Sequence, residues 1–137
     1  MKPKYAIAVL CCFSAIAFGQ NDTDLWAKYE RDLKANPRSS ITQFRIGEIY
    51  FQQGNFQPAA NAFRDALNGD LQPKWIDVWS RVNLGKIFDI TGQRDRAVNE
   101  YTQAQRTHDN TRGALDEAAI YMQFPYKVFQ KLFPGQP

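Results

Sequence analysis

Between residues 24 and 124, apolar side chains recur three and four positions apart, with polar residues filling the intervals. That period lays one apolar stripe along each of several helices. "DLWAKYERDLKANP" (24–37) puts Leu25, Tyr29 and Leu33 on one face and stops at Asn36-Pro37. Ser39 or Ser40 then caps the next helix. "GEIYFQQGNFQPAANAFRDAL" (47–67) and "GKIFDITGQRDRAVNEYTQAQ" (85–105) each read as two helices broken at a central glycine. "THDNTR" is a turn with Asn110 or Thr111 as a cap, and "GALDEAAIYMQF" (113–124) is a further helix that ends before Pro125. The final "YKVFQKLFPGQP" again carries Val128, Phe129, Leu132 and Phe133 at helical spacing. The pattern predicts seven helices, six of them stacked.

The two glycine-led segments share one set of spacings. Gly47, Tyr50, Gly54, Ala59, Phe63 and Ala66 in the first answer to Gly85, Phe88, Gly92, Ala97, Tyr101 and Ala104 in the second. Small residues at Gly47 and Ala59, and at Gly85 and Ala97, are expected where two helices cross closely. Gly54 and Gly92 fall between helices, where positive φ ends the first one. Each segment is thereby predicted to be a helical hairpin.

Ile46-Gly47 with Tyr50, followed by Ala59 and Phe63, resembles the tetratricopeptide repeat, and Leu84-Gly85, Phe88, Ala97 and Tyr101 repeat the pattern. The resemblance covers residues 24 to about 124. It implies an all-α chain, a short right-handed α-solenoid with two full units near 40–73 and 78–111 and half-units on either side. Gln43 and Arg81 stand where the family often has Trp, and Leu71 replaces a terminal proline. The period is 38 rather than 34, which an early helix start at Pro73 accommodates. Such arrays gain their core from neighbour interfaces, so the C-terminal stripe is expected to act as a lid over an exposed end, the alternative being a segment that docks into a partner.

Residues 1–19 read as a signal peptide. Lys2 and Lys4 precede an apolar run, Tyr5 to Phe18, too short to span a bilayer, and Ala17-Phe18-Gly19 places small residues before a cut at Gln20. Removing nineteen of 137 residues leaves 118, takes the formal charge from +3 to +1 and removes both cysteines, Cys11 and Cys12. The mature chain is therefore expected in the periplasm or secreted, held by packing without disulfides, with no membrane span and no basic footprint for nucleic acid. Residues 20–124 form the repeat domain and 125–137 a capping helix and tail.

Candidate chemistry is sparse. His108 stands alone in a predicted turn, and Asp116-Glu117 points adjacent carboxylates to different parts of a helix. No enzyme activity, cofactor or metal is expected. The resemblance instead implies a concave groove lined by the first helix of each unit and a protein or peptide partner lying in it. Carried over position by position, the groove comprises Ile41, Phe44, Glu48 and Phe51, then Trp79, Val82, Lys86 and Asp89, with Trp75 one turn earlier on the same face. Two packing alternatives stand beside this: Trp79 against Ala66 and Leu67, and Trp75 over the enlarged turn. A third alternative is a pair between Glu48 and Lys86, which occupy equivalent places on adjacent helices, an exposed bridge worth about 0–1 kcal/mol. Self-association through the open ends is the other expected mode of interaction.

Overall fold

The computed structural model describes residues 17–127, with side chains from Thr23 onward. The expected leader and the stripe from Val128 to Phe133 lie outside those residues, apart from the leader's last three, and the cut expected before Gln20 falls within the first described helix.

Six α-helices are present among the described residues: α1 (Ala17–Ala35), α2 (Ser40–Gln52), α3 (Phe56–Leu67), α4 (Trp75–Ile90), α5 (Arg94–Arg106) and α6 (Ala114–Gln123), the last preceded by a 3-10 turn at Thr111–Gly113. Residues 124–127 are not helical. Helices α2 and α3 form one hairpin and α4 and α5 the next, α3 packs on α4, and α5 packs on α6. This is a short helical solenoid. Helix α2 also touches α4, and α4 touches α6, whereas α3 and α5 make no comparable contact, so the row closes up on the α2–α4–α6 side. That side is the concave one.

The hairpin turns follow from their glycines. Gly54 has φ +75 and Gly92 φ +74. With that reversal, Gly54 N–H reaches Phe51 O (3.1 Å) and Asn55 N–H reaches Tyr50 O (2.9 Å), while Gly92 N–H reaches Asp89 O (3.2 Å) and Gln93 N–H reaches Phe88 O (2.7 Å). These are paired Schellman bonds that satisfy carbonyls otherwise orphaned at a helix end.

The helical glycines serve a partner different from the one expected. A Cβ on Gly47 would come within 2.7 Å of the Phe63 ring, and one on Gly85 would collide with the Tyr101 ring. Both glycines therefore make room for an aromatic ring of the second helix, one turn beyond Ala59 and Ala97. Those alanines, with Phe63, Ala66, Tyr101 and Ala104, are buried in one continuous core that also holds Ile76, Val78, Leu84 and Ile87.

The long repeat period has a structural basis in residues 68–72. Ser40 Oγ donates to Ala66 O (2.6 Å) and accepts from Leu71 N–H (2.9 Å), and Asp70 N–H donates to Arg38 O (2.8 Å). Asp70 in turn accepts from Ser40 N–H (3.2 Å), Gln72 N–H (3.0 Å) and Asn36 Nδ2 (3.0 Å). The extra residues dock on the α1–α2 turn, and α4 starts at Trp75, a turn earlier than an unextended unit. Ser39 is the α2 cap, its Oγ accepting from Thr42 N–H (3.4 Å), which frees Ser40 for the docking contacts. At α6, Gly113 is the cap residue, with Asn110 Oδ1 accepting from Leu115 N–H (2.9 Å) from just outside the turn.

Candidate functional site: the concave face

The expected groove positions separate into core, bridge and open surface. Phe44 is 3% exposed and Val82 0%, so both belong to the core and correct the expectation that they meet a ligand. Phe44 is enclosed because its ring lies between Phe63 (centroids 5.4 Å) and Trp75 (5.3 Å, edge-on). The early start of α4 is what brings Trp75 there. Trp75 thus covers an α2 ring rather than only the enlarged turn, and its own half-buried face carries Arg45 at 5.9 Å and Arg112 at 5.2 Å. Guanidinium groups at that distance are attracted by the ring quadrupole, and each carries five N–H donors, of which Arg45 gives one to Glu48.

Trp79 is half-buried against the core that contains Ala66, and its Nε1–H donates to Thr111 O (3.0 Å) in the next unit. Glu48 and Lys86 do not pair with each other. Glu48 accepts from Arg45 Nη1 at 2.6 Å within α2, and Lys86 Nζ meets Glu117 Oε2 at 2.6 Å across to α6. Neighbour reach on one helix favours the first pair, and the approach of α6 to α4 favours the second.

Asp89 departs most from expectation. Its side chain is fully buried, and four donated bonds reach it: two from Arg94 Nη1 (2.9 and 3.1 Å), one from Tyr101 Oη (2.9 Å) and one from the main-chain N–H of Tyr126 (2.8 Å). Arg94 also donates from Nη2 to Met122 O (2.7 Å), tying the α4–α5 turn to the end of α6. A buried carboxylate is tolerated only with such saturation. Burial, reinforced by the bond to Asp89, raises the Tyr101 phenol far above its ordinary value, so it remains a donor.

Tyr126 completes the site. Its ring lies 6.3 Å from Phe51, 5.1 Å and edge-on to Tyr121, and 5.3 Å from Lys86 Nζ. Lys86 is only 12% exposed and also stands over Trp79 (5.7 Å) and Tyr121 (5.4 Å). Phe51, Lys86 and Asp89, three expected groove positions, therefore converge on one residue of the chain's own C-terminal segment. Burial raises the Tyr121 and Tyr126 phenols, with Glu117 adding to each.

Elsewhere Glu100 of α5 has its carboxyl raised by burial against the opposing pull of Arg81, Arg64 and Arg96. Arg81 Nη1 lies 3.9 Å from it, and neither a nucleophile nor a second acid accompanies it in that set. His108 is exposed at the turn after α5. No group of three or more His, Cys, Asp or Glu residues suited to a metal occurs among the described residues, and none of the described helices is long and apolar enough to cross a membrane.

Stacked hairpins with a row of parallel first helices define a helical-repeat module. Residues 42–70, which cover most of the α2–α3 hairpin and the start of its docked turn, match the tetratricopeptide repeat family, whose repeats generally mediate protein–protein interaction without catalysis. No curated protein matches the chain at a significant level.

Proposed function

We propose that this chain is an exported, non-catalytic adaptor that binds an extended segment of a partner protein along the α2–α4–α6 face. The observation that carries this reading is the open half of that face, where the Trp75 ring is flanked by Arg45 and Arg112. An aromatic surface with guanidinium donors suits a peptide bearing an apolar anchor next to an acidic group. The basic start and short apolar run of residues 1–18 support export to the periplasm or beyond.

The test is affinity capture from the producing cell's envelope with wild type and an Arg45→Glu/Arg112→Glu variant. Recovery of a partner should fall at least about tenfold in the variant while its melting temperature stays within a few degrees, because exposed charges contribute little to stability. The protein isolated from that envelope should begin at Gln20. Equal recovery by both forms removes the groove assignment, and a chain beginning at Met1 removes export.

A second reading is favoured by two exposed apolar residues at the end of the array, Ile120 (56%) and Phe124 (68%). Apolar residues exposed at the end of the described array suit end-to-end assembly with a second copy or a larger complex.

A further inference from the structure

The segment that follows α6 meets the concave face as a bound peptide would. Phe124 leaves the helix with extended backbone (φ −123, ψ 115), and two residues later the Tyr126 N–H donates to the buried Asp89 carboxylate at 2.8 Å. Its ring is received by Phe51 of α2, Tyr121 of α6 and the ammonium of Lys86 of α4. Main-chain hydrogen bonding combined with an aromatic side-chain pocket is how extended segments are held by a protein surface. The receiving set joins two aromatic rings that pack on the core, Phe51 and Tyr121, to two charged groups, Lys86 and Asp89.

We infer that this half of the concave face is a receptor for an extended segment presenting an aromatic side chain and the N–H of that same residue, and that Tyr126 is its internal occupant. The inference rests on the groove reading and adds to it the chemistry of one anchor and a competitor for it. A partner segment of the same chemistry has to displace Tyr126, whose tether gives an effective concentration of about 1 mM. For a segment with an intrinsic Kd of about 100 μM, that competition weakens apparent binding about tenfold.

The probe is a fluorescently labelled peptide copying residues 122–127 (MQFPYK), titrated into full-length mature protein, wild type and the variants Tyr126→Ala and Tyr126→Phe. Tyr126→Ala should bind it about tenfold more tightly than wild type, and Tyr126→Phe, which keeps the ring, should match wild type. Equal affinity for wild type and Tyr126→Ala overturns the inference, as does failure of both to bind. In wild type alone, the Tyr126 amide should exchange slowly with solvent and speed up when the peptide is added in excess; fast exchange from the start overturns the inference without recourse to any variant. If the peptide arms fail while envelope capture still depends on Arg45 and Arg112, the groove reading stands and the internal occupant falls; the reverse pattern separates them the other way.

Discussion

At the scale of single residues, the glycine positions were legible as close crossings, and what occupies them was not. Spacing shows where a small residue recurs, but which side chain fills the space depends on how the partner helix is rotated and slid. Gly47 and Gly85 face the Phe63 and Tyr101 rings, one turn past the alanines. Replacing Gly85 with alanine sets two effects against each other. Helix propensity favours alanine by about 1 kcal/mol, and overpacking against Tyr101 costs about 1–3 kcal/mol. Since the ring is fully buried and anchored to Asp89 at 2.9 Å, it has little room to yield. Gly85→Ala should therefore lower the melting temperature by about 5 °C in a thermal melt. An unchanged or raised value would show that Tyr101 moves freely. Asp89 was illegible for a different reason: the residue that completes its burial, Tyr126, lies 37 positions away outside the repeated pattern.

At the scale of elements, the hairpins α2–α3 and α4–α5 follow the expected breaks at Gly54 and Gly92 closely, because positive φ after a C-cap is a local demand that one residue type meets best. The lengthened connection between α3 and α4 was visible only as a longer period; its docking on Arg38 and Ser40 needed the three-dimensional turn. Asp70 is the hub of that docking, and its carboxyl is held below the ordinary 3.8, chiefly by the Gln72 N–H, with Asn36 and Ser40 adding to it and burial opposing. A depressed folded-state value means the contribution is complete above the unfolded value and fades as pH drops through the folded one. Between pH 5 and 3 the wild-type melting temperature should therefore fall more steeply than that of Asp70→Asn, which carries no proton-linked part at this site. Parallel curves for the two proteins would detach Asp70 from the acid response.

At the scale of the whole molecule, fold class was readable because a repeated spacing is evidence twice over. The binding face was readable only in part. Phe44 and Val82 were assigned to it from their register, yet exposure at a given register is fixed by neighbouring units, and here the early start of α4 puts Trp75 over Phe44. The same dependence on neighbours governs the ends. With Ile120 and Phe124 outward, light scattering on the mature protein should give a mass that rises with concentration, and Ile120→Lys should hold it at the monomer value. A constant mass in wild type would set aside end-to-end assembly.

A row of repeats ordinarily loosens from its tips inward, since each unit leans only on the next. Tyr126 touches α2 through Phe51, α4 through Asp89 and Lys86, and α6 through Tyr121. That one residue joins the first hairpin to the last described helix like a clasp on a bracelet, so α6 cannot lift away without releasing α2 and α4 as well.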